Sequence, residues 1–299
     1  MKEKLLNGFY YCAGLFFLLL TKIKDAVSRY TPKPYSIDKI QKCVEYDIAI
    51  VDNWLNCLSE YKKEDINSLI NNKVALELGP GSDLGVGLYL LSKSIKKYYA
   101  IDVYDLASQN APEFYKAFFE YLKNKGIDTE PLIQELAQTK KGEAERLNFI
   151  CQKDFNIVSA LKEEKIDLLF SNAAFEHFGN IHETIKSFTA VSAENAILIT
   201  SVDLKTHSRW IREKDPNNIY RYPAWLYKLL STKSSPNRIR PYQYEEYLRE
   251  QGWENIIVQA REELKNDGNN TQKYLSKEFR NPKNQMNYLT IYIYATRGV

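Results

Sequence analysis

The chain has 299 residues, enough for one large domain or one domain with attachments, and its 44% hydrophobic content supplies a sizeable core. Its 41 lysines and arginines stand against 38 acids, a net charge of +3. A balance this close carries no nucleic-acid footprint. Four scattered cysteines without a CxxC pair exclude a disulfide framework and a zinc ribbon, and point to a reducing compartment. Only three histidines are present, so no metal is demanded by ligand spacing.

Residues 5–20, LLNGFYYCAGLFFLLL, carry no charge and are flanked by Lys2, Lys4, Lys22 and Lys24. A bilayer-spanning helix takes about 20 apolar residues, so this stretch is short. Three readings stand: a helix that spans or lies in a membrane interface, a helix docked on the domain or on an oligomer partner, and a cleaved signal. Against the last counts the absence of a small-residue cleavage site. Residues 31–35, TPKPY, form a proline-broken linker. Within 37–58, Ile40, Val44, Ile48, Val51, Leu55 and Leu58 recur at helical spacing, and 65–70 reads as a second short helix. The expected organisation is an apolar helix over 1–30, a linker and helical cap over 31–72, and a main domain over 73–299 with inserts at about 106–147 and 205–247.

The main domain is organised around residues 74–91, VALELGPGSDLGVGLYLL. A short apolar strand ends in Glu77, a turn with Gly79, Pro80 and Gly81 follows, and then an apolar helix. Strand, tight turn and helix start present backbone N–H groups to a nucleotide-like ligand. Residues 98–103, YYAIDV, are a second strand ending in Asp102, about 20 residues after the glycines, where a carboxylate faces ribose hydroxyls in doubly wound folds. A helical insert spans 112–147 and includes FYKAFFEYLKNKG, closed by Gly126. Further strands are expected at 147–151, 166–172, 196–204, 256–260 and 288–295, the last two as an antiparallel pair.

The ordered segments ELGPG, AIDV and DLLFSNAAFEHF make the chain resemble the class I S-adenosylmethionine-dependent methyltransferases over roughly residues 70–260. The resemblance implies an α/β fold, a seven-stranded, mostly parallel, Rossmann-like sheet with helices on both faces, and S-adenosylmethionine as cofactor. It implies that Glu77 binds the amino group of the methionine moiety and that Gly79, Pro80 and Gly81 allow close backbone approach. It places Asp102 on the ribose and Asp154 on the adenine amino group with Phe155 stacked on the ring, while Asn172, at the carboxyl end of the fourth strand, is expected beside the sulfonium or the acceptor. Asp154 is equally placed to cap the next helix.

Methyl transfer to a hydroxyl needs alignment and removal of a proton. The acceptor side is expected at the ends of strands four and five. There His207 is the candidate base, with Asp203 to orient it, and Glu176 and His177 are candidate substrate ligands. The order of ELGPGSDLG, AIDVYD, FSNAAFEHF, VDLKTH and PNRIR is similar to methyltransferases of bacterial surface polysaccharide synthesis. That similarity implies phosphate or carboxylate binding by Arg238 and Arg240, and sugar stacking on the aromatic stretch 210–227. Thr206 stands where an aspartate is usual in that subgroup. The expected activity is O-methylation of a sugar or glycan intermediate, free or lipid-linked, in the cytoplasm or at the inner face of the membrane. A lipid or quinone acceptor and a non-catalytic, cofactor-retaining subunit remain as alternatives. A nicotinamide-linked oxidoreductase fails on the GxGxxxG spacing of Gly79, Gly81 and Gly85.

Overall fold

The computed structural model describes residues 2–28, 39–109, 111–264 and 272–298. The proline-broken linker, the first residues of the helix read from 37, and part of the polar segment after 264 lie outside them. The elements in chain order are α1 (Lys2–Ser28), α2 (Ile40–Lys62), α3 (Ile66–Ile70), β1 (Val74–Leu78), α4 (Gly85–Ser92) and β2 (Lys97–Asp102). Next come α5 (Pro112–Asn124), α6 (Glu130–Lys141), β3 (Leu147–Cys151), α7 (Ile157–Leu161), β4 (Ile166–Asn172), α8 (Ile181–Val191) and β5 (Ser192–Asp203). The chain closes with α9 (Ala224–Leu230), α10 (Pro241–Glu250), β6 (Trp253–Glu263) and β7 (Tyr288–Arg297).

All seven strands join one sheet in the order β3-β2-β1-β4-β5-β7-β6. β1 to β5 run parallel and β7 runs antiparallel between β5 and β6. This is the mostly parallel, helix-covered sheet that the sequence pattern implied. The strand order reverses between β1 and β4, so the crevice for a ligand opens outside their carboxyl ends. Period-two alternation splits the core between the two faces. Ala75, Tyr98, Ala100 and Phe170 pack under α2, α4, α5 and α6, where Trp54 stacks on Phe170 at 4.7 Å. Leu76, Leu78, Leu169 and Ile293 pack under α7, α8 and α10.

The insert at 112–147 is two helices, the first closed at Gly126 as read, where φ is +77°. Two strands differ most in their bounds from the sequence reading, each for a local reason. β5 starts at Ser192 instead of 196, and a bulge with Asn195 at φ +60° carries it into register with β4. β6 is longer than 256–260 because it is an edge strand with a largely exposed pattern, so apolar alternation marks only its middle.

A third, smaller cluster lies beside the sheet, formed by Ile219, Tyr220, Tyr222, Tyr227, Leu275, Phe279 and Met286. Helix α1 docks on it through Tyr11, Leu15 and Leu18. The Asn218 amide donates to the Tyr10 carbonyl at 2.9 Å, and the Tyr222 hydroxyl to that of Tyr11 at 3.0 Å. Gly14 stands where any Cβ would overlap Asn218 and Tyr222. The opposite stripe of α1, including Leu5, Leu6, Phe9, Phe16, Leu19, Leu20, Ile23 and Val27, is exposed.

Candidate active site

The glycine turn leaves β1 with Gly79 at φ +75° and Gly81 at φ +81°, a region that L side chains rarely adopt. A Cβ on Gly79 would come within 2.7 Å of the Ala174 Cβ, so the turn lies against the chain leaving β4. A Cβ on Gly81 would meet nothing within 4 Å, and this part of the turn faces open space. Asp102 ties the turn to β2: its carboxylate accepts from Tyr104 N–H at 2.9 Å and from the N–H groups of Gly81 and Val103. Burial raises its pKa, and those N–H groups oppose the rise. At the end of β4 the Asn172 amide donates to the Tyr46 hydroxyl at 2.8 Å, which brings α2 to the crevice rim.

Glu77 lies 3% exposed and receives the Tyr98 hydroxyl from β2. Two further acids, which the sequence reading missed, share its surroundings. Asp83 (5% exposed) accepts from Gly85 N–H at 2.9 Å, and Asp47 of α2 (4% exposed) hydrogen-bonds to Asp83. Burial pushes all three carboxyls up, Glu77 to about 8; negative neighbours add to the rise at Glu77 and Asp47, while at Asp83 the hydrogen bonds with Asp47 and Gly85 oppose it. No lysine, arginine or histidine pairs with any of them among the described residues. Asp47 Oδ2 is buried with no partner at all. A buried group of acids without a cation costs stability unless a ligand supplies one. One signal was available in the sequence: Asp47 interrupts the apolar stripe Val44, Ile48, Val51 of α2 at a buried position.

Asp154 and Phe155 follow β3. Asp154 is exposed, and Asn156, not Asp154, caps α7 by accepting from Ser159 N–H. Phe155 takes φ +50° and packs on Phe178 at 4.9 Å.

Beyond its carboxyl end, β4 leads into a single turn of 3-10 helix, Phe175–His177, rather than directly into α8. Glu176 in this turn is 2% exposed and its Oε2 has no partner. Burial, and more weakly the charge of Asp203, raise its pKa to about 8. The rings of His177 and His207 meet edge to face at 4.9 Å. Burial, then His177, lower His207 to about 4, with Asp203 opposing. His177 is lowered by burial, and its ring hydrogen-bonds to the Ser234 backbone. Both histidines are therefore neutral at pH 7, each with a free lone pair. Asp203 Oδ2 stands 3.8 Å from His207 Nε2, outside hydrogen-bond range, and its close partner is Arg212.

Arg238 and Arg240 are not available to a substrate. Arg240 is fully buried, and its guanidinium donates to the carbonyls of Asn284, Gln285 and Tyr288 and to the Tyr220 hydroxyl. Arg238 donates to the carbonyls of Ile219 and Tyr222, pairs with Glu278 at 3.2 Å, and lies over the Tyr227 and Phe279 rings. The segment they share is a strap: Asn237 holds the Glu176 turn through the carbonyls of Phe175, Glu176 and Phe178. Arg240→Met leaves those acceptors buried and unpaired, and is expected to cost about 3 kcal/mol and several degrees of Tm. Calorimetric unfolding measures it. The aromatic stretch 210–227 is likewise mostly core, since Tyr220, Tyr222 and Tyr227 are buried and only Trp210 and Trp225 stand out.

No protein-family model matches the chain, and no curated protein does. Solved structures similar to it include the CurJ carbon methyltransferase, at 14% identity and TM-score 0.41 over 77% of this chain and 49% of that one. Another is a phosphoethanolamine N-methyltransferase from Haemonchus contortus, at 10% identity and TM-score 0.43 over 85% of this chain and 53% of that one. A third is a SAM-dependent methyltransferase from Aquifex aeolicus, at 15% identity and TM-score 0.40 over 88% of this chain and 98% of that one. The chain thus spans about half the length of the first two. At these identities and scores, none of them bears on what this chain acts on.

Proposed function

We propose that the chain is an S-adenosylmethionine-dependent methyltransferase that methylates a hydroxyl of a sugar or glycan intermediate at a membrane surface. The observation that carries the reading is the buried acid group Asp47, Glu77 and Asp83 beside a glycine turn, with one carboxylate oxygen unpartnered and no cation paired with it among the described residues. S-adenosylmethionine brings an ammonium and a sulfonium, so its charge matches what the pocket lacks. Glu77, Asp83 and Asp47 would hold the methionine end, Gly81 would admit it, and Asp102 would take the ribose. Asp154 and Phe155 stand at the end of β3 for the adenine. The cofactor supplies an electrophilic methyl group for in-line displacement.

Acceptor chemistry falls to the ends of β4 and β5. The acceptor hydroxyl is assigned to the neutral pair His177 and His207, beside which its proton is lost, with Asp203 and Arg212 as polar walls. Charged and hydrogen-bonding groups at this end favour a hydroxylated acceptor over an apolar quinone. The membrane surface is read from the exposed stripe of α1, continued by Trp210 (81% exposed), Trp225 (68%) and Leu229.

The test is calorimetric titration of the full chain with S-adenosylhomocysteine beside Gly81→Arg. The variant puts a long side chain into the open space at a φ that strains any residue but glycine, and is expected to weaken binding at least 100-fold while circular dichroism stays unchanged. Absence of binding to the folded parent would overturn the reading. Binding without methyl transfer to any hydroxylated acceptor would leave a cofactor-retaining subunit.

A further inference from the structure

We propose that Glu176, His177 and His207 bind a divalent transition-metal ion at the acceptor end of the crevice. Each offers one ligand atom, and these atoms all lie within 4.8 Å of one another. Ions of the zinc class hold nitrogen and oxygen ligands at about 2.0–2.2 Å, so small rotations of the side chains close the set. Two observations favour a metal over a merely packed cluster. Glu176 Oε2 is buried with no hydrogen-bond partner among the described residues, a state that a cation relieves. The His177 ring is held through one nitrogen by the Ser234 backbone, which leaves the other as the free ligand and fixes its direction.

Nearby positive side chains do not compete for the site. Arg212 is paired with Asp203, and Lys205 with Glu262. Two imidazoles and one carboxylate make a three-ligand set with positions left open, the composition of a catalytic rather than a structural centre. Both histidines are partly exposed while Glu176 is buried, so the open positions lie on the solvent side. The donor set suits zinc, cobalt or manganese better than magnesium or calcium, which prefer oxygen alone. What the ion does there rests on the methyltransferase reading: it would draw charge from the acceptor hydroxyl, whose proton passes to solvent water while its electron pair stays on oxygen.

The experiment is a titration of chelator-treated full chain with Co2+, read by visible d–d absorption, with S-adenosylhomocysteine binding measured separately on the metal-free protein. One equivalent is expected, without a thiolate charge-transfer band. His207→Asn and Glu176→Gln are each expected to weaken it at least 100-fold, while His182→Asn, on the exposed start of α8, leaves it unchanged. Bands that survive both first variants, a thiolate band, or no bands in the parent would overturn the site. The parent spectrum alone decides if a variant does not fold. Cobalt binding without S-adenosylhomocysteine binding would keep the metal site and remove the methyltransferase reading.

Discussion

Glu77→Gln is expected to raise the stability of the folded chain at pH 8.5 while weakening its hold on S-adenosylmethionine. The Glu77 carboxyl is pushed from its ordinary 4.5 to about 8, mainly by burial. Between those values the unfolded chain has released this proton and the folded chain keeps it. The unfolded state therefore binds fewer protons, and stability falls as pH rises from about 4.5 towards 8. For a group this deeply buried the loss at pH 7 is on the order of 3 kcal/mol. An amide carries no charge at any of these pH values, and its carbonyl still accepts the Tyr98 hydroxyl. The gain should appear as a Tm roughly 5–10 °C above the parent at pH 8.5, shrinking to nothing near pH 4.5. Glu176, raised to a similar value, keeps part of the pH slope in the variant.

Ligand binding should move the other way. In the parent, a cation entering beside Glu77 favours the ionised carboxyl, so binding releases protons and tightens from pH 6.5 to 8.5. In Glu77→Gln that dependence should flatten, with at least tenfold weaker binding at pH 8.5. Calorimetry in two buffers of different ionisation enthalpy reads the proton release directly. A parent that binds equally at both pH values would place the cation elsewhere.

The sheet was legible because its strands are short apolar runs punctuated by glycine and acid, and the parallel core leaves such runs nearly continuous. β1 to β4 fall where the pattern put them, within a residue. What the sequence did not reveal is which polar residues come to lie together across elements. Asp47 sits 30 residues before Glu77, on a helix that packs on the sheet with Trp54 stacked on Phe170 of β4. The Glu176, His177 and His207 cluster likewise depends on the turn after β4 and the loop after β5 meeting in space. The misreading of Arg238 and Arg240 has the opposite cause. Arginine in a polar segment reads as free to bind an anion, yet here three carbonyls at the ends of short turns and the Tyr220 hydroxyl take four of the five N–H donors of a fully buried Arg240. Aromatic richness misled similarly, since tyrosines that look like a stacking surface in 210–227 fill the cluster beneath α1.

Replacing Phe16 and Trp225 by glutamate is expected to release the protein from lipid vesicles. On the proposed membrane reading, the contacts that dock α1 on the domain require it to lie along the surface instead of crossing it. A spanning helix would have to leave Tyr11, Leu15 and Leu18 without the cluster they cover, and strip Asn218 and Tyr222 of their carbonyl partners. Held as it is, α1 turns its exposed stripe outward next to Trp210, which stacks on Phe17, and next to Trp225 and Leu229. Lys2, Lys4 and Lys24, also exposed, lie along the same helix, and Lys228 on α9, so the apolar stripe is bordered by charge suited to anionic headgroups. Burying one large side chain is worth about 1.5–3 kcal/mol, so losing two should weaken partitioning at least 100-fold. Flotation with vesicles of mixed anionic and zwitterionic lipid measures it. Ile133→Glu, at an exposed apolar position on α6, should float like the parent. If the parent stays in solution and sediments as a dimer that Phe16→Glu dissociates, the stripe faces a second copy of the chain and the membrane assignment falls.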